Sequence, residues 1–137
     1  MKSLRYHNGF SLVELMVVII IVGILVTVAI PLYLDYTEMC KVREALGIVK
    51  AIRTSQKVEG IKSGSFHPAT GSAAFTIFLE KGIDVRESGY FIYETTGDTN
   101  TFTITATATA KSGITGTISY VKITNSWSCT GDITKGC

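Results

Sequence analysis

The chain of 137 residues predicts an α+β fold: one long N-terminal α-helix of about 50 residues packed on a small antiparallel β-sheet. Three observations predict it. Residues 15–34 form a 20-residue apolar run with no charged side chain. Val42, Ala45, Leu46, Val49 and Ile52 then recur at three- and four-residue steps, which lines one face of a helix. Further on, Phe102, Ile104, Ala106 and Ala108 alternate with threonines, the two-residue period of a half-buried strand.

The first element begins with a short polar leader that carries Lys2 and Arg5, has no acid, and ends at Gly9. Basic residues beside an apolar span hold that flank in the cytoplasm. The run at 15–34 is long enough for a helix of roughly 30 Å, the thickness of a bilayer's hydrocarbon core. Glu14 stands at its head. A carboxylate in lipid costs roughly 2.5–3.5 kcal/mol at mid-membrane and less near the interface, so something must offset it. A cut between Gly9 and Phe10 would create an α-amine four residues before Glu14, with both groups near one helix end. Glu14 would also meet the positive end of the helix dipole.

An ordinary secretory signal has a shorter apolar core and a small-residue cleavage site, for which Thr27-Val28-Ala29 could pass. That reading, like a plain signal anchor, leaves Glu14 unexplained. The leader ending in Gly9, the run Phe10-Ser11-Leu12-Val13-Glu14-Leu15-Met16-Val17-Val18, and Gly23 and Pro31 in the apolar helix resemble the type IV pilins and their pseudopilin relatives, most closely a type IVa major pilin. The resemblance covers residues 1 to about 60 and is architectural beyond them. It implies the pilin fold and a structural role, with no enzyme activity and no cofactor. It implies cleavage after Gly9 by prepilin peptidase and N-methylation of Phe10. Assembly into a helical homopolymer would follow, with Glu14 meeting the Phe10 amine of a neighbouring copy. The segment from Gly23 to Pro31 would unwind in the fibre. The partners implied are other copies of the chain, the peptidase, the pilus assembly machinery and the inner membrane. The precursor would sit in that membrane with its leader in the cytoplasm, and the assembled pilus would be extracellular, serving adhesion, motility or DNA uptake. A pseudopilin of a type II secretion or competence system, or a minor tip pilin with an adhesive or DNA-binding surface, are the alternatives.

Pro31 removes one backbone hydrogen bond, to the Thr27 carbonyl, and Gly23 costs about 1 kcal/mol against alanine, so the helix is soft between them. Tyr33 and Tyr36 fall where amphipathic aromatics favour a membrane interface. The helix continues from Asp35 as an amphipathic one, with Lys41, Glu44, Lys50 and Arg53 on a solvated face and Gly60 as the residue that ends it. Phe75, Phe78 and Leu79 before Gly82 suggest a short helix or turn in a connecting loop. Residues 90–96, 101–109 and 117–124 read as strands, separated by turn signals at 96–100 and 111–113. A sheet with one apolar face needs a cover, and the amphipathic helix supplies it. Its other face is lined by threonines, polar without charge, and no Asn-X-Ser/Thr sequon occurs.

Cys129 and Cys137 offer a disulfide near the C-terminus, which suits an oxidising compartment, and pilins close a C-terminal loop in a similar way. Three cysteines allow three single pairings, and the sequence does not choose among them. Cys40 reads as a free, buried small hydrophobe. The domain organisation expected is a leader (1–9), a transmembrane and polymerisation helix (10–34), an amphipathic helix (35–60) and a β-rich head (61–137).

The formal net charge is +2, and from residue 61 on six basic residues balance six acidic ones, so no basic run points to nucleic acid. Catalysis has little to build on. His67 sits in a Phe-His-Pro loop away from any nucleophile, and no Cys/His cluster has metal spacing. Glu80, Asp84 and Glu87 are an acidic cluster of the solvated kind. Asp132 alone in the tail is too little for a calcium site, which needs several oxygen ligands.

Overall fold

The computed structural model describes residues 9–83, 85 and 89–137. Lys2 and Arg5 of the leader, and Asp84 and Glu87 of the acidic cluster, lie outside the described residues. The chain divides into two compact units, Met1–Tyr36 and Thr37–Cys137. Helix α1, Leu12–Ser63, belongs to both and contains Pro31 without a break in its helical run.

In the first unit every side chain of α1 faces outward. Its large apolar residues from Leu12 to Leu34 are 44–74 % exposed. Among the described residues nothing covers them, and α1 is long and apolar enough to cross a membrane. Near Pro31, the Thr27 hydroxyl donates to the Ile24 carbonyl at 2.7 Å. That hydroxyl is therefore already engaged one turn before the carbonyl that Pro31 leaves without its usual donor.

In the second unit α1 buries Val42, Ala45, Val49, Ile52 and Gln56, a stripe at steps of three and four. A four-stranded antiparallel sheet lies against that stripe, in the order β1-β2-β3-β4. The strands are β1 (Phe91–Gly97), β2 (Phe102–Ala108), β3 (Thr117–Val121) and β4 (Ser126–Cys129). Phe102, Ile104 and Ala106 of β2 and Ile118 and Tyr120 of β3 make the inner face, each at most 1 % exposed. Helix α2, Ala73–Glu80, adds Ala74 and Phe78 to the same core. Phe66 stacks on Phe102 at 4.8 Å between ring centres, and Tyr120 on Trp127 at 4.9 Å.

The β1–β2 turn is closed by Asp98. Its carboxylate accepts the backbone N–H groups of Asn100 (2.8 Å) and Thr101 (3.0 Å), and those bonds hold it below the usual carboxylate range. Between β2 and β3, a 3₁₀ turn at Ala110–Ser112 buries the Ser112 hydroxyl, which donates to the Thr109 carbonyl at 2.6 Å. Lys41 reaches across from α1 to donate to the Ser112 carbonyl at 2.7 Å.

Four local expectations need correction. The helix ends at Ser63, and the left-handed glycine after it is Gly64 (φ +73°), whose N–H returns to the Gly60 carbonyl. Gly60 is instead the place where the Phe66 ring meets the helix; a Cβ there would lie 2.5 Å from the ring. The strand expected over 117–124 stops at Val121, where the chain turns through Asn125 in the left-handed region (φ +49°) and forms a further strand, β4. Cys40 is free but exposed, because it faces away from the stripe through Val42 and Ala45. Arg53 is half-buried rather than solvated. Its guanidinium lies 4.5 Å from the centre of the Tyr120 ring and donates to Asn125 Oδ1 at 3.0 Å.

Candidate functional site

The residues singled out in the sequence fall in two places. Gly9 and Phe10 precede α1 and are exposed, Phe10 to 74 %. Glu14 follows in the first turn of α1, where Leu15 N–H already bonds the Ser11 carbonyl at 3.2 Å. Its carboxylate thus stands by the four backbone N–H groups that a helix start leaves without partners. Among the described residues Glu14 makes no ion pair. Gly23 lies on the exposed helix with open space where a Cβ would be, eight residues before Pro31. The arrangement is a single anion heading a helix whose whole circumference is apolar and uncovered. Such a surface suits association through apolar contact, with one charge that no described residue matches.

The second place is the tail of the head. Cys129, at the end of β4, is joined to Cys137, with 6.4 Å between their Cα atoms, a span natural to disulfides. The bond closes a 3₁₀ turn, Gly131–Lys135, around Ile133, which is fully buried. Gly131 (φ +68°) and Gly116 (φ +129°) let two backbones meet here, since a Cβ at Gly116 would collide with the Thr130 carbonyl. Asp132 fastens the crossing. It accepts the Thr115 N–H at 3.0 Å and the Thr115 hydroxyl at 2.8 Å, and these bonds hold its carboxyl below the usual range. Gly136 then lies directly against Val42 of α1.

A third cluster was not visible in the sequence. Glu59, His67 and Lys81 lie far apart in the chain, yet Glu59 Oε2 receives Lys81 Nζ at 2.8 Å and Oε1 lies 3.1 Å from His67 Nε2. The Lys81 hydrogen bond, with help from the charges of Lys81, His67 and Lys62, holds the Glu59 carboxyl low. The His67 imidazole is thereby engaged with a carboxylate and not with a nucleophile. Burial pushes the Tyr93 phenol well above its ordinary range, and the charge of Glu44 adds to that. No group of three or more His, Cys, Asp or Glu side chains suited to a metal ion occurs among the described residues.

Residues 4–30 match the family described as the prokaryotic N-terminal methylation motif. The chain is 44 % identical over 52 residues to a fimbrial protein of Pseudomonas aeruginosa, an alignment covering 38 % of this chain and 34 % of that one. A fimbrial protein of Moraxella nonliquefaciens is 47 % identical over 49 residues, covering 36 % and 32 %. The type IV major pilin protein PilE1 of Neisseria gonorrhoeae is 60 % identical over 40 residues, covering 29 % and 24 %. The chain thus spans about a third or less of the length of the curated relatives it matches. No solved structure gives a significant match.

Proposed function

We propose, from the likeness of its N-terminal segment to type IV pilins, that the chain is a member of that family and a structural subunit of a type IV pilus, polymerised through the first half of α1 into a surface filament. The observation that carries this reading is the uncovered apolar helix headed by Glu14. Burying one large apolar side chain is worth about 1.5–3 kcal/mol, and this helix presents more than a dozen with nothing over them. Lipid can cover them before assembly, and copies of the same helix can cover them after it. Only the second cover also supplies a cation for Glu14, the α-amine of Phe10 on an adjacent copy. The assembly is head-to-tail and open, so it grows as a helix rather than closing.

In this reading prepilin peptidase cuts between the exposed Gly9 and Phe10 and methylates the new terminus. The precursor waits in the inner membrane with its leader in the cytoplasm, and the pilus assembly machinery draws it into the extracellular fibre. Gly23 and Pro31 mark the stretch that can unwind there. The four segments 1–9, 10–34, 35–60 and 61–137 then serve as leader, polymerisation helix, packing helix and head. The named relatives are fimbrial proteins and major pilins, which supports a pilus over a secretion pseudopilus.

Intact and N-terminal mass spectrometry of the native protein tests the processing. The expected result is a chain starting at Phe10 and heavier by one methyl group. A start anywhere else would overturn the processing and, with it, the charge pair on which assembly depends. Replacing Gly9 with valine is expected to leave precursor-sized protein, because a small-residue protease pocket has no room for the branched side chain.

A further inference from the structure

Between α1 and β1 the chain runs as a strap, residues 64–82, which contains α2. Among the described residues, the hydrogen bonds and ion pairs that fasten this strap to the rest of the head land on two elements only, the last turns of α1 and the β1 strand. Lys81 and His67 meet Glu59, and Gly71 N–H donates to Glu94 Oε1 at 2.9 Å, all at exposed or half-exposed positions. Ala69 exchanges both backbone bonds with Thr95, at 2.9 and 2.8 Å. The remaining fastening is made by two buried side chains. Gln56, 6 % exposed, uses both ends of its amide on one residue: Nε2 donates to the His67 carbonyl at 2.7 Å, and Oε1 accepts the His67 N–H at 3.0 Å. The hydroxyl of Thr95, 1 % exposed, donates to the same carbonyl at 3.2 Å.

That paired donor and acceptor is what a residue of a neighbouring strand would offer. In an antiparallel ladder the rung after Ala69–Thr95 joins positions 67 and 97. Gly97 is the last residue of β1, paired on its other side with Phe102, and it is the Gln56 amide that takes both backbone bonds of position 67. We infer that Gln56 is a side-chain rung that keys the strap to the sheet, so that the strap opens and closes as one cooperative piece controlled from α1. Its loss leaves the His67 N–H without a partner and its C=O with the Thr95 hydroxyl alone, in a part-buried site, a penalty the exposed Glu59 pairs do not carry. The open form would present the β1 edge at Thr95 as an unpaired strand edge, the surface on which another extended chain can pair.

Native-state hydrogen exchange followed by mass spectrometry, on the full chain in detergent, tests this. In Gln56→Leu, amide protection across 64–82 is expected to fall about tenfold or more, while β2 and β3 keep theirs. Glu59→Gln is expected to change strap protection by less than about threefold. Should Gln56→Leu fail to fold, Thr95→Val removes the bond to the His67 carbonyl and the longer one from Gln56 Nε2 but leaves both Gln56–His67 bonds, and is expected to lower protection in the same segment by a smaller factor. Unchanged protection over 64–82 in the variant that folds, or a fall spread evenly into β2 and β3, would overturn the inference.

Discussion

The two stretches of α1 obey the same helical geometry and opposite rules of burial. Over Thr37–Ser63 the helix has one apolar stripe, Val42 to Gln56, and the head covers it. Over Leu12–Tyr36 its large apolar side chains point out on all sides, and none of them is buried by the described residues. The first kind of surface is satisfied within one molecule, as in any amphipathic helix. The second is satisfied only by lipid or by other molecules, so its chemistry is that of an interface even in a single copy. One continuous helix therefore joins a part that folds for itself to a part that is completed by company.

Substitutions can break this contrast, and the largest effect is expected at Glu14. Replacement by alanine should leave the head's melting temperature unchanged and strongly reduce filament yield in electron micrographs of sheared cells. Normal filaments would mean that apolar surface alone sets the register. Next comes a matched pair on the two stretches. Ile52→Ala, at a fully buried position, should lower the stability of the head by about 2–5 kcal/mol, whereas Ile20→Ala, 57 % exposed before substitution, should leave it within about 0.5 kcal/mol. Denaturant unfolding of the full chain in detergent, read from Trp127 fluorescence, measures both. Equal losses would show that the first stretch packs on its own molecule after all. A smaller effect is expected from Cys129→Ser, roughly 2–3 kcal/mol by the chain-entropy model for a loop of this size, in the same assay.

The mildest test is of pH. The carboxyls of Glu59, Asp98 and Asp132 all sit below their ordinary values in the folded head. The unfolded chain therefore binds protons more readily than the folded one as the solution turns acid. Their contribution is fully present above the ordinary carboxylate range and is lost as pH falls through the lowered values. Asp132→Asn should flatten the acid limb of a melting-temperature profile between about pH 5 and about pH 2 without altering its level slope near neutrality.

Much of this arrangement is legible in the chain itself. The apolar run, the stripe at 42–52 and the alternation at 102–108 are periodic, and period is a local property. The Asp98 turn is legible for the same reason, since its bonds close within three residues. What escapes sequence reading depends on residues distant in the chain. Gly60 looks like a helix terminator until the Phe66 ring is seen resting on it, and Gln56 looks like a misplaced polar residue in a core stripe until its partner, the His67 backbone, is located. The fourth strand, Ser-Trp-Ser-Cys, is only four residues long and lacks β-branched side chains, so it has too few periods to register. Glu14 is legible as an anomaly, and among the described residues no cation pairs with it.

The contact between Gly136 and Val42 has a bearing on how the molecule is made. The head cannot close until a residue near position 136 arrives against one near position 42, with Ile133 delivered to the core on the way. The loop that this contact closes spans most of the head, and closures of such long range come late in folding. The Cys129–Cys137 bond then holds the segment that carries Gly136 in place.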